Sequence, residues 1–285
     1  MKHVGIIGMG RAGTVLAYML AQHDYHVQIV LRRPQSTAVT IKDQEFAVKT
    51  LAQVVEEAEI LMIATPDKVI GDIVQALSVM DLTRLRAVFH LSGAVSTDIL
   101  DPLRTQKVAV GSLHPLQSMA DLEQSLIHLP GSTLTYDGDP AMLAWIEDLT
   151  ARLNCRLVVA PPEMNKALYH AGASMASNFL VTLAAMGSEC LRQAGFSEEE
   201  ARKALTALMR GTLGNLENLP PERALTGPIV RGDAETVRMH LDVLNTYIPN
   251  LLPAYGALGA LTGAMARQTG SLPAPQHELL QGFFK

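Results

Sequence analysis

Cysteine is almost missing from this chain. Its two copies in 285 residues, Cys155 and Cys190, exclude a disulfide framework and lack the clustering of a metal site, so no metal is expected. No charge excess is present either: charged residues make up 18% and the formal net charge is -5. Without a basic patch, neither nucleic acid nor an anionic membrane surface is expected as the main partner. No apolar run reaches membrane-spanning length. The start, MKHVGIIGMG, lacks the apolar length and cleavage site of a signal peptide. Repeats, low-complexity tracts and long charge runs are absent too. What remains is a 48% hydrophobic composition in a chain long enough for one large domain or two ordinary ones. A soluble, cytoplasmic protein is expected.

The first part alternates β-branched runs with helical patterns. HVGII, HVQIVL, EILMIAT, AVFHL and VAVGSL read as strands, with helical spacing in RAGTVLAYMLAQ, LAQVVEEA and KVIGDIVQALSVM between them. STLTYDG, AMLAWIEDLTARL and CRLVVA carry the pattern on. Such alternation predicts an α/β unit with a mostly parallel sheet covered on both faces. From PPEMNK onward the strand signal disappears. A long helix is expected from the prolines at 161–162 to Gly195. Another follows with Ser197 and Glu200 as a capping box, and two more in DAETVRMHLDVL and LPAYGALGALTGAMARQ. The expected division is a dinucleotide-binding domain over 1–160 and an all-α domain over 161–285.

Gly8-Met9-Gly10-Arg11-Ala12-Gly13 follows the first strand and opens the first helix, the setting in which G-x-G-x-x-G is a dinucleotide fingerprint. Gly8 would allow the tight turn, Gly10 the approach of a pyrophosphate and Gly13 close helix packing. The phosphates would rest on the helix N-terminus at Arg11 and Ala12. At the end of the second strand, where a carboxylate usually selects NAD, stand Arg32 and Arg33. Two guanidiniums suit a 2′-phosphate, so NADP(H) is the expected cofactor, although the pair also reads as solvated surface arginines. Thr65 and Pro66, past EILMIA, lie on the expected cofactor path or form a plain turn, with Asp67 capping a helix from Lys68.

Ser92 and Gly93 are expected just past AVFHL, and His114-Pro115 just past VAVGSL. Hydride chemistry needs a positioned proton-transfer group, and His114 is the first candidate, with Ser92 as its partner. The alternative is a His114 that caps a loop. His90, inside its strand, reads as a sheet residue. In YHAGASMASN, Lys166, His170, Ser174 and Asn178 step by four and fall within roughly 120° of one helix face. That stripe either lines a cavity or is buried against other helices. Arg231 reads as a substrate-carboxylate ligand or as the partner of a helix-capping Asp233.

The motifs GMGRAGTVLA, ATPD, HLSGAVS, GSLHPLQS, ALYHAGASMASNF and LTGPIVRGDAETVRMHL, in this order, resemble a bacterial family of Rossmann-like proteins with a C-terminal helical domain of unassigned function, often described as NADP oxidoreductases. The wider group holds pyrroline-5-carboxylate reductases, β-hydroxyacid dehydrogenases and prephenate dehydrogenases. The resemblance implies a Rossmann domain, a helical domain like the C-terminal one of 6-phosphogluconate dehydrogenases, a homodimer through that domain and an active site between domains. GSLHPL is similar to the His-Pro segment of prephenate dehydrogenases, which favours His114, and HLSG to their serine loop, which favours Ser92. The Lys–Asn spacing of β-hydroxyacid dehydrogenases is broken here, because Lys166 is followed four residues on by His170. TGPIVRGD replaces the serine- and threonine-rich loop of pyrroline-5-carboxylate reductases. The resulting expectation is an NADP(H)-dependent oxidoreductase of a small polar C=O, C=N or C–OH metabolite. His114, Ser92, His170 and Asn178 would act at the reacting end, and Lys166, Ser174 and Arg231 would bind substrate. An NADP(H)-binding sensor or scaffold without hydride chemistry is the alternative.

Overall fold

β-Branched and aliphatic runs set the architecture in the computed structural model, which describes residues 2–284. The strands are β1 (His3–Ile7), β2 (His26–Val30), β3 (Ala38–Ile41), β4 (Gln44–Lys49), β5 (Ile60–Ile63), β6 (Ala87–His90), β7 (Ala109–Leu116), β8 (Thr133–Gly138) and β9 (Arg156–Val159). They form one nine-stranded sheet in the order β3-β4-β2-β1-β5-β6-β7-β8-β9. Strands β4, β2, β1, β5, β6 and β7 run parallel, while β8 pairs antiparallel with β7 and carries β9 beside it in parallel. The continuous apolar reading of ILMI in β5 is that of a strand covered on both faces, as the expected α/β class requires.

The helices α1 (Arg11–Gln22), α2 (Leu51–Glu57), α3 (Asp67–Ser78), α4 (Leu122–His128) and α5 (Leu143–Arg152) cover the sheet. One face packs Ile6, Ile29, Met62 and Phe89 against Leu16, Leu20, Trp145 and Ile146. The other packs Ile7, Leu61, Ile63 and Val88 against Val54, Ile70, Val74 and Leu100. A fully buried Ile or Phe of this kind contributes roughly 1.5–3 kcal/mol.

Several expectations change. The β3–β4 hairpin has no counterpart in the sequence reading, because only Ile41 and Phe46 of it are buried and Thr40, Glu45 and the Lys42-Asp43 turn dilute its pattern. His114 and Pro115 lie inside β7 rather than past it, held there by pairing with Thr135 and Leu134 of β8. Asp67 opens α3 from within its first turn, and Pro66 stands at the cap position without a side-chain bond. The long helix is broken at Ser177 into α6 (Lys166–Ala176) and α7 (Asn178–Gln193). The break falls where Gly172, Ser174, Ser177 and Asn178 weaken helix propensity. Asn178 therefore opens a new helix instead of continuing the stripe.

Contacts divide the chain into two compact units, Met1–Ser177 and Asn178–Lys285. The expected boundary at 160 falls one helix earlier, after β9. The second unit holds α7, α8 (Glu198–Asn218), α9 (Pro221–Ala224), α10 (Ala234–Tyr247), α11 (Leu252–Gln268) and α12 (Ala274–Phe283). The Ser197–Glu200 capping box is formed, and Gly195 closes the turn before it with φ +98°. Val237, Ala266, Leu272 and Leu280 make the unit's core cluster. An apolar groove of about 530 Å³ between α7, α10 and α11 is lined by Met186, Cys190, His240, Tyr255 and Leu258, among others.

Candidate active site

At the carboxyl end of β1, Gly8 turns the chain with φ +99°, a conformation that disfavours a side chain. A Cβ on Gly13 would lie 2.3 Å from the Gly8 carbonyl oxygen, so α1 can sit this close to the loop only without one. Above Gly10 the space is open, the nearest atom to a Cβ being the Ala64 oxygen at 3.8 Å. No side chain caps α1, which leaves the first-turn N–H groups at Arg11 and Ala12 available to an anion. The Thr65 hydroxyl, beside Gly8, is buried without a hydrogen-bond partner among the described residues. A buried orphan of this kind points to a missing ligand. Arg32 and Arg33 are exposed past the end of β2, and Pro66 is exposed past β5. The cradle, the free amides, the orphan hydroxyl and the guanidiniums together fit a phosphorylated dinucleotide.

Three strands from β1, β7 and its neighbour β8 place polar side chains in register. Ser112 pairs with Asp137 and His114 with Thr135, all on one face of the sheet because residues two apart share a face. Helix α6 answers each pair with one side chain. Asn165 starts this helix by accepting the Leu168 N–H, at 3.0 Å. Lys166, only 7% exposed, donates to the Ser112 hydroxyl and pairs with Asp137 at 3.3 Å. Burial pushes its amine below the ordinary lysine value, and Asp137 opposes that shift. One turn on, the Tyr169 hydroxyl lies 2.8 Å from His114 Nδ1 and donates to Thr135 Oγ1 at 2.9 Å. The His170 ring stands edge-on to His114, with centroids 6.3 Å apart.

His114 is held flat as well as bonded. A Cβ at Gly93 would meet its ring at 2.7–3.0 Å, so the ring occupies the place of a side chain at that position. Burial lowers the His114 pKa to about 4, with His170 and Lys166 adding to the effect and Asp67 opposing it. His90 is fully buried in β6 and accepts the Ser92 N–H at Nδ1, 3.2 Å away. Burial, then Lys166, brings it to about 4 too.

The structure brings together His114, His170, Lys166 and Gly93 of the residues singled out in the sequence. Ser92 is adjacent, but its hydroxyl oxygen accepts the N–H groups of Ala94 and Val95, at 3.1 and 3.0 Å, and so builds the turn. Ser174 is half-buried further along α6. Asn178 and Arg231 belong to the second unit, where both are exposed. There Asp233 caps α10 by accepting the Thr236 N–H. That bond and the Thr236 hydroxyl lower its carboxyl pKa ahead of any effect of Arg231. Tyr169, Thr135, Ser112 and Asp137 were missed in the sequence. Only Tyr169 carried a signal, one turn after Lys166 and beside His170. Among the described residues no group of three or more His, Cys, Asp or Glu could hold a metal ion, and no helix is long and apolar enough to cross a membrane.

Residues 1–115 match the model of a Rossmann-like domain, and residues 132–262 match a domain of unknown function, DUF2520. The chain joins a Rossmann-like domain to a DUF2520 domain. The DUF2520 match begins at β8, so it supplies the last two strands of the sheet as well as helices, and Asp137, Thr135, Lys166 and Tyr169 with them. The Rossmann-like match supplies Ser92, Ser112 and His114. Similar folds occur in protein TM1727 of Thermotoga maritima (23% identity, TM-score 0.69, covering 93% of this chain and 99% of that one). The fold is shared with BF3122 of Bacteroides fragilis, provisionally described as an NADP oxidoreductase (20%, 0.69, 92% and 98%). A third is pyrroline carboxylate reductase of Plasmodium falciparum, solved with NADP bound (11%, 0.61, 93% and 98%). No curated protein sequence matches the chain.

Proposed function

We propose that the protein is an NADP(H)-dependent oxidoreductase acting on a small polar metabolite. The observation that carries this reading is the pairing, within one unit, of an anion-ready glycine cradle beside an orphan hydroxyl and a half-buried His–Tyr–Thr hydrogen-bond chain that starts three strands from β1. The NADP bound in the Plasmodium neighbour and the description of the Bacteroides one as an NADP oxidoreductase support it. Backbone amides at Gly10, Arg11, Ala12 and Gly13 would hold the pyrophosphate, Arg32 and Arg33 the 2′-phosphate, and Thr65, Pro66, Ser92 and Gly93 the path toward the nicotinamide. The cofactor's contribution, when bound, is hydride exchange at the nicotinamide ring. His114 handles the proton or hydrogen bond of the reacting group. Lys166, His170 and Ser174 orient the substrate from α6.

We also infer a homodimer through the helical unit, supported by the exposure of Val181 and Leu261 at 70% and 69%. The cofactor reading is tested by titrating the purified protein with NADPH and with NADH, following nicotinamide fluorescence. NADPH is expected to bind at least tenfold tighter, and Arg32→Ala with Arg33→Ala to erase the difference. Equal affinity in the unaltered protein would overturn the NADP assignment, and no binding of either would overturn the function.

A further inference from the structure

The hydrogen bonds around Tyr169 favour one protonation pattern of the His114 imidazole. A phenol has one proton, and Tyr169 gives it to Thr135 Oγ1 at 2.9 Å. Its 2.8 Å contact with His114 Nδ1 must then be made by an Nδ1–H donating to the phenol oxygen. Thr135 is buried on the same face of β8, so water does not compete for the Tyr169 proton there. In a neutral ring with Nδ1 protonated, Nε2 carries a bare lone pair. Among the described residues no hydrogen bond is made at Nε2, and the ring lies over the open face that Gly93 leaves.

We propose that the substrate presents a hydrogen-bond donor to His114 Nε2, an N–H of a protonated imine or amine or the O–H of an alcohol, and that a bare carbonyl oxygen is not accepted there. This rests on the oxidoreductase reading and narrows its substrate class. A C=O oxygen facing a lone pair is repelled and has no donor to meet, whereas a donor completes the Thr135–Tyr169–His114 chain. With an alcohol, whose carbon hydride would go to an oxidised nicotinamide, the O–H proton passes to Nε2 and the imidazolium returns it to water. A protonated imine needs no proton from the protein, because hydride addition to its carbon gives the neutral amine directly, and His114 only orients the N–H.

The surrounding charges agree with this polarity. Burial, then His170 and Lys166 on α6, disfavour a positive charge on the ring, and Asp67 from α3 is the one opposing neighbour. His90, on β6, is held neutral by its own burial. The imidazole therefore stays neutral through the range in which a solvent-exposed histidine would titrate.

The test is long-range ¹H–¹⁵N NMR on histidine-labelled full-length protein, with the His114 signals assigned by their loss in His114→Gln. The neutral Nδ1–H form is expected from pH 8 to 5.5, and Tyr169→Phe is expected to mix the tautomers by removing the acceptor. An Nε2–H ring, or an imidazolium at pH 7, would overturn the proposal. Ring-matched probes then report on recognition: pyrrolidine, protonated at neutral pH, and cyclopentanol should shift the Nε2 signal, and cyclopentanone should not. A response to cyclopentanone alone, or to none of the three, would overturn the substrate class. NADPH titration of the same sample separates this outcome from a failure of the cofactor reading, since the tautomer is read without cofactor.

Discussion

A single buried imidazole carries a measurable pH dependence here. His90 takes its proton only near pH 4, because burial penalises the charged ring, while the unfolded residue protonates near 6.5. The unfolded chain thus binds the extra proton first as pH falls. The stability contribution is complete above about 6.5 and is lost on the way to about 4, a loss of about 3 kcal/mol from this residue. His114 adds a loss of the same sign. Urea unfolding at pH 7 and pH 4.5 should show a smaller drop for His90→Gln than for the unaltered protein, since the amide oxygen can still accept the Ser92 N–H. Equal drops would mean that His90 is not the titrating group. At this scale the sequence was informative about identity and poor about role. It marked Ser92 as a reacting partner, yet the Ser92 oxygen is engaged by two backbone amides, a use that depends on the path of the loop.

Helix α6 and the β7–β8 pair form a ladder of two rungs, Lys166 with Ser112 and Asp137, and Tyr169 with His114 and Thr135. Asp137→Asn leaves a buried ammonium without its anion. It should cost about 2–4 kcal/mol, less than a fully dry pair because Asp137 is partly exposed. Adding Lys166→Met should recover at least half, as measured by chemical unfolding of both variants, and a double variant no better than Asp137→Asn would refute the pairing. Outside the β3–β4 hairpin, the main strands and helices of the first 160 residues were legible because their apolar runs are regular. The ladder was not, since it depends on β8 running antiparallel to β7, and nothing in STLTYDG announces direction. The Ser177 break was hidden for a related reason: the stripe of polar residues kept its four-residue step on paper while the backbone did not.

Across the whole molecule the two units differ in how well they cover themselves. The sheet unit buries two clusters of aliphatic side chains, whereas α7 has no buried residue and leaves Phe179 and Val181 in solvent. In the proposed dimer, association of the helical units would remove that surface from water. Light scattering at micromolar concentration should give twice the chain mass, and Val181→Lys with Leu261→Lys should shift it toward one. A single-chain mass for the unaltered protein would refute the dimer. Both family matches contribute to the sheet unit, and the seam between its compact body and the rest is at Ser177, well inside the DUF2520 match. That placement makes the chain modular at an unexpected address. A chimera spliced at residue 177 would inherit the glycine cradle and both rungs from one parent, while one spliced between the two family matches, near 115–132, would take His114 from one parent and its partners Tyr169 and Thr135 from the other.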